Sequence, residues 1–324
     1  MIALALSATT SFWLIAIGAL AFTIAFTGMM PLTETIAMAG VRASGLDYGR
    51  MRLWGSATFI AASFIGGTVI DHYGAQSGIW LLVGASAIVL AASLILPNPK
   101  ATIAPETQTS DQPAPWPAPT PANLNRSTLQ SGPRLLHSKT FLIFIVASGL
   151  AQASHATYYT FGTLDWLDQG ISPVWIGALW VIGVLAEIAL FSYSNAISKV
   201  FGPVELLATG ALAGVARWLI MAFDPPLALL FPLQFLHALT YGATHLGAIH
   251  FIARAIPEKR MATAQAFYGA TGNGIAMGCA TLIAGSLYVW AGSASYIAMS
   301  GISLLALIAA VTLASMWSGQ QLRD

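Results

Sequence analysis

Apolar runs alternate with short polar gaps along almost the whole of this 324-residue chain. Nine runs approach or exceed the roughly 20 residues that an α-helix needs to cross a bilayer. They cover 11–37, 52–70, 77–96, 139–165, 173–198, 203–223, 225–253, 260–290 and 292–317. Each run predicts a membrane-spanning helix, because in lipid only helices and closed barrels satisfy their own backbone polar groups. Pro173, Pro203 and the Pro225–Pro226 pair stand at run starts, where a missing N–H costs nothing. Pro31 and Pro232 fall inside runs and are expected to kink them.

One long segment breaks the rhythm. Pro97–Leu136 holds nine of the sixteen prolines and the run PAPWPAPTPA. Such a stretch has too little apolar surface to fold and is expected to be an extended linker. Three domains follow: 1–96, three helices plus an N-terminal stub; 97–138, a Pro-rich cytoplasmic linker; and 139–324, a six-helix bundle. The expected class is an all-α integral membrane protein.

The basic residues orient it. Twelve of the thirteen Lys and Arg lie in or at the ends of every second gap: Arg42 to Arg52, Lys100 to Lys139, Lys199, Arg254 to Arg260, and Arg323 in the tail. Gaps near Asp71–Gln76, Asp168–Ser172, Asp224–Pro226 and Ala291–Ser293 have none. Loops rich in Lys and Arg stay on the cytoplasmic side, so the linker and the C-terminus are expected there. Nine spans then put the N-terminus outside, and Met1–Ala8 reads like the end of another apolar helix. The expectation is a chain lacking its first helices.

Composition narrows the function. Charged residues make up 8% against about 25% in soluble proteins, and the mean hydropathy is +0.73. A net charge of +1 and the lack of a basic stripe argue against a nucleic-acid partner. The lone cysteine, Cys279, rules out a disulfide framework and is expected to be a packing residue. Residues 1–10 have no basic leader, which argues against a secretory signal. No nucleophile elbow, Walker sequence, HExxH or dinucleotide fingerprint is found. An enzyme is not expected, nor a cofactor. Active transport would have to draw on an ion gradient. The expected partners are a small-molecule substrate, protons and the bilayer, and the chain is expected to be a monomer.

Ionisable groups in a bilayer are costly and usually face a cavity or a partner. Glu187 lies near mid-membrane in its run, and the thirteenth cation, Arg217, in the outer half of the next. They are natural partners, either a proton-coupling pair or a static ion pair fixing helix packing. His237, Tyr241 and His245 recur every four residues and share one helical face. This stripe suits a proton relay or substrate hydrogen bonds, or else plain interhelical bonding. No acidic or Cys ligand accompanies it, so no metal site is expected. Gln152, His155 and Tyr159 form a second stripe beside Tyr158, a pocket for a ring-bearing ligand or an interfacial aromatic belt. Asp165 and His250 are expected at the interfaces, Asp165 solvated. Glu34 ends one run on the side where Arg50 and Arg52 begin the next. These three are expected to form a cytoplasmic gate, the alternative being that the arginines merely snorkel.

The segments MPLTETIA at Met30–Ala37 and DYGRMRLWGS at Asp47–Ser56 resemble the major facilitator superfamily, in its branch of 3-phenylpropionic acid permeases and lactose permease-like proton symporters. ASHATYYTF at Ala153–Phe161, LAEIALFSYSN at Leu185–Asn195, VARWLIM at Val215–Met221, LQFLHALT at Leu233–Thr240, THL at Thr244–Leu246 and AQAFY at Ala264–Tyr268 continue the resemblance in order. It implies a twelve-helix, six-plus-six bundle with alternating access, here starting near the end of the third helix. It also implies proton coupling through Glu187, Arg217 and His237, matched by helix and residue type. Proton-coupled uptake of an aromatic carboxylate such as 3-phenylpropionate is the leading expectation, and Arg217 could bind the carboxylate itself. Sugar or nucleoside symport, efflux, and a non-transporting remnant or scaffold are the alternatives.

Overall fold

The computed structural model describes residues 11–23, 26, 48–74, 76–95 and 135–322. Every element among them is helical. The chain separates into two compact units, residues 1–122 and 123–324.

The first unit contains α1 (Phe12–Thr23), α2 (Tyr48–Tyr73) and α3 (Ser77–Ile95). The turn between α2 and α3 uses Gly74 at φ +80°, a conformation that disfavours a side chain. Ser77 closes it, its hydroxyl donating to the Gly74 carbonyl at 2.6 Å. No residue of α3 is buried, and Trp80 and Ile95 are open. In water such a surface would be driven inward, whereas lipid solvates it. The Pro31 position lies outside the described residues, as does most of the expected linker.

The second unit is built from α4 (Lys139–Ala153), α5 (Ala156–Asp168), α6 (Pro173–Ser192), the short α7 (Ser194–Val200) and α8 (Pro203–Met221). Next come α9 (Leu227–Phe235), α10 (Thr244–Ala255), α11 (Glu258–Gly269), α12 (Met277–Ala291) and α13 (Tyr296–Met316). Pro173 and Pro203 open α6 and α8, and Pro226 immediately precedes α9, as the sequence predicts. Two π-helical segments, Ala238–Ala243 and Ala270–Ala276, interrupt the spans. Pro232 sits inside α9, and without its N–H it cannot complete the helical ladder. The turn from α8 to α9 holds Asp224 at φ 47°, a left-handed position that Asp tolerates. By length and composition, six helical stretches among the described residues can cross a membrane. The last of them, Thr263–Met316, takes in most of two of the runs read from the sequence.

Two large apolar clusters fill most of the bundle. One packs Phe141, Phe144, Phe251, Ile252, Leu313 and Trp317. It lies toward the end that carries Lys139, Arg254 and Arg260, and the Leu322 N–H donates to the Ala255 carbonyl there at 2.7 Å. The other packs Tyr158, Trp166, Leu179, Trp218, Leu230 and Tyr296 toward the opposite end. α8 crosses α10 and the first π segment at very short range. A Cβ on Gly210 would overlap both the Thr244 side chain and the Leu239 carbonyl oxygen. Close approach through glycine is how membrane helices gain packing energy when lipid offers no hydrophobic drive. It brings α8, with its arginine, against the polar face of the π segment.

Two expectations are corrected. Asp165 is 4% exposed, not solvated. It sits near the last turn of α5, where α12 and the α8–α9 turn supply neighbours that only the packed bundle provides. Cys279 is exposed, because Ala280 and Ala284 take the buried stripe of α12 and leave residue 279 off that face.

Candidate functional site

Arg217 is fully buried in the middle of the second unit. Desolvating an unpaired cation costs several kcal/mol, so its surroundings have to compensate. Nη2 donates to Gln234 Oε1 at 2.9 Å. Nη1 donates to Thr240 Oγ1 at 3.1 Å and lies 3.4 Å from His237 Nδ1. The guanidinium carbon also sits 4.5 Å from the Tyr158 ring centroid and 4.6 Å from that of Trp218. Each charge-assisted hydrogen bond contributes about 1.5–3 kcal/mol, and each desolvated cation–π contact about 2. Together they offset the burial. Arg217 Nε has no hydrogen-bond partner among the described residues, nor has Gln234 Nε2.

The geometry assigns protons. Arginine has no acceptor, so His237 Nδ1 must accept, and the ring proton sits on Nε2. That nitrogen is 3.7 Å from Glu187 Oε2. His155 has the opposite tautomer. Its Nδ1 faces the carbonyls of Ala151 at 3.1 Å and Gln152 at 3.2 Å, which only accept. Nδ1 therefore carries the proton, and Nε2 accepts from Thr240 Oγ1 at 3.1 Å. Thr240 thus takes a bond from Arg217 and gives one to His155. Gln234 Oε1 is likewise shared, receiving Tyr158 Oη at 2.8 Å as well as Arg217.

The local fold explains the convergence. His155 stands at the N-cap position of α5, at the break between α4 and α5, with its ring directed to Thr240 of the π segment rather than to the helix end. Thr240 lies within that segment, where the wider turn changes which side chains face α8. α6 packs on His237 at Gly183, one turn before Glu187, where even a Cβ would make only ordinary van der Waals contact, 3.6 Å from the ring.

The residues singled out from the sequence divide by exposure. Arg217, His155 and Gln152 are enclosed, and His237 nearly so. The Glu187 side chain is 25% exposed and Tyr159 43%. Tyr159 stacks on His155 with centroids 5.3 Å apart. The predicted His-Tyr-His stripe forms a ladder of near-parallel rings, His237–Tyr241 at 5.5 Å and Tyr241–His245 at 5.9 Å. At its far end His245 Nδ1 is 3.0 Å from Tyr268 Oη, a partner not singled out from the sequence. Thr240, Gln234 and Trp218 were also passed over. The signal available was a glutamine and a threonine flanking His237 in an apolar run, and a tryptophan next to Arg217, the cation inside a run. Glu34 lies outside the described residues. Arg50 and Arg52 fall on α2, but their side chains are also outside what is described. The expected gate is therefore not placed.

The site is thus an arginine held by neutral acceptors and capped by aromatic rings, beside a carboxylate–imidazole pair. Residues 1–299 match the profile of the MFS_1 like family. The chain belongs to the major facilitator superfamily. It is 31% identical over 286 residues to a probable 3-phenylpropionic acid transporter of Escherichia coli (strain K12), covering 88% of this chain and 70% of that protein. It is 27% identical over 287 residues to a maltose permease of Geobacillus stearothermophilus, covering 88% and 68%. An uncharacterized transporter of Bacillus subtilis (strain 168) is 25% identical over 260 residues, and this chain spans 60% of its length. As a member of this superfamily the chain is a multi-pass membrane protein and a transporter rather than an enzyme.

Proposed function

We propose that this chain is a proton-coupled symporter of a small organic molecule. The inner membrane would hold it, with the basic loops and the C-terminus in the cytoplasm. The observation that carries the reading is His237, set between the Arg217 guanidinium and the Glu187 carboxylate. With His237 neutral, Nδ1 accepts from Arg217 and Nε2–H points at Glu187. A proton arriving on Nδ1 would turn both nitrogens into donors, break the bond from Arg217 and place two cations side by side. Protonating Glu187 instead removes the acceptor that Nε2–H faces. Proton occupancy of the pair therefore changes the hold on Arg217, and through Thr240 and Gln234 the packing of α5, α8 and α9. Such a two-state element is what coupling requires.

An aromatic carboxylate such as 3-phenylpropionate is the first substrate to test, on the strength of the 31% identical relative. Tyr159 and Tyr241 supply rings, and Arg217 is the candidate for the carboxylate if it becomes reachable during the cycle. A second reading has its own support. On the partly exposed side of the cluster stand a carboxylate and tyrosines, while the cation is enclosed. That surface suits a neutral hydroxylated molecule, a sugar or nucleoside, which donates to Glu187 and stacks on Tyr159.

The test is radiolabel uptake into vesicles carrying the chain, with 3-phenylpropionate and maltose as probes. Accumulation of 3-phenylpropionate that collapses with a protonophore supports the first reading, and of maltose the second. Loss of preloaded probe driven by an inward proton gradient would point to efflux. Neither binding nor movement of either probe would count against both substrate readings and favour a non-transporting role.

A further inference from the structure

Asp165 is a buried carboxyl that the coupling scheme does not use. Its ligands are few and distant. Gln169 Nε2 donates to Oδ2 at 3.3 Å, and Tyr288 Oη to Oδ1 at 3.5 Å. Hydrogen bonds to a well-satisfied carboxylate run near 2.5–2.9 Å, so these two leave an ionised Asp165 poorly compensated. Its charged surroundings are acidic: Asp168 on its own helix and Asp224 from the α8–α9 turn. Gln169 bridges the acids, its other amide hydrogen reaching Asp224 Oδ1 at 3.1 Å. The titratable groups facing Asp165 from the packed elements are Asp224, Tyr288 on α12 and Tyr296 on α13.

The line of polar groups is graded. Asp224 is exposed, Gln169 is half-buried, and Asp165 is enclosed. One turn further in, the Tyr296 hydroxyl is fully buried and has no hydrogen-bond partner among the described residues. It packs against Gly162, the residue one turn before Asp165, where a Cβ would sit 3.5 Å from its oxygen and 3.5 Å from the Tyr158 ring. The Tyr158 ring on its inner side is the one that caps Arg217.

We propose that Asp165 is a second proton-binding site, distinct from the Glu187–His237 pair, at the end of the bundle away from the basic loops. A proton from water outside would add to an Asp165 carboxylate oxygen and convert the carboxylate to the acid, and the same proton would leave by the reverse step. Gln169, whose amide donates to both Asp165 and Asp224, holds the two acids in place and relays no proton. In the neutral form the bonds that Gln169 and Tyr288 give Asp165 are no longer charge-assisted, which loosens the tie between α5 and α12 while the Gln169–Asp224 bond to the α8–α9 turn is kept. Only the meaning of this for transport, a second proton site on the outer side, rests on the symport reading.

The test is infrared spectroscopy of the full chain in lipid, comparing acidic with alkaline buffer, with aspartate isotope-labelled at its side-chain carboxyl. A protonated-carboxyl band that shifts with the label should vanish in Asp165→Asn and persist in Asp224→Asn and Glu187→Gln. Tyr288→Phe removes a donor to the carboxylate, so the band should survive to more alkaline buffer by about one pH unit, a tenfold gain in proton affinity. An aspartate band untouched by Asp165→Asn, or no aspartate band at all, overturns the proposal. A Tyr288→Phe midpoint unchanged or moved to lower pH overturns the role given to the tyrosine. Because Glu187 is read in a separate, unlabelled band, failure of the coupling reading would leave this result standing.

Discussion

Arg217 donates to His237 Nδ1 across 3.4 Å, and that one contact decides where the imidazole proton sits. It forces the proton to Nε2, on the side of Glu187. A change of protonation on either side is therefore felt by the buried guanidinium.

Glu187→Gln should mimic a permanently protonated carboxyl. Accumulation of a transported probe against its gradient should be lost, while exchange of probe across the membrane continues. The comparison of net uptake with counterflow in vesicles separates the two. Proton-dependent accumulation that survives in Glu187→Gln would pass the coupling role to His237 or His245.

Arg217→Ala should leave Thr240 Oγ1 without a donor, while Gln234 Oε1 keeps the bond from Tyr158. A buried polar group so deprived costs about 1–3 kcal/mol, which should lower the thermal unfolding midpoint in detergent. Arg217→Lys keeps the charge but cannot reach two acceptors in a planar fork. It should recover less than half of that loss. Full recovery by lysine would mean that charge alone matters.

Thr240→Val removes the hydroxyl that links Arg217 to His155 while preserving shape. The His155 Nε2 acceptor then loses its donor. Nitrogen chemical shifts of labelled histidine should change at His155 and much less at His245, which bonds Tyr268 instead. Equal changes at both would argue against a bridge through Thr240.

Gly210→Ala should be strongly destabilising, since its methyl would meet Thr244 and the Leu239 carbonyl. Overpacking of this kind costs about 1–3 kcal/mol. Gly301→Ala on α13 meets nothing within 4 Å and should be neutral or stabilising by up to about 1 kcal/mol. Melting curves of the two variants give the contrast.

A reporter active only in the cytoplasm should be active when fused within Pro97–Leu136 and silent at Asp71–Gln76 or Asp224–Pro226. The reverse pattern would invert the topology drawn from the basic gaps, and with it the side on which Asp165 lies.

The sequence by itself determined the class and the rhythm of this protein. A helix in lipid must be long and apolar, so runs of the right length can be counted, and prolines mark their starts at Pro173 and Pro203 because the first turn needs no N–H. It also named Glu187, Arg217 and His237, because polar groups are rare enough in such runs to stand out. The His237–Tyr241–His245 ladder was legible for the same reason, four residues being close to one helical turn. Tertiary structure alone decided which groups meet. Gln234, Thr240 and Tyr158 close around Arg217 only when α5, α8, α9 and the π segment pack together, joining Trp218 from its own helix. The burial of Asp165 likewise depends on α12 and the α8–α9 turn folding over the end of α5. Periodicity places a side chain on a face of its own helix, but the partner across the interface depends on crossing geometry, which local sequence does not encode.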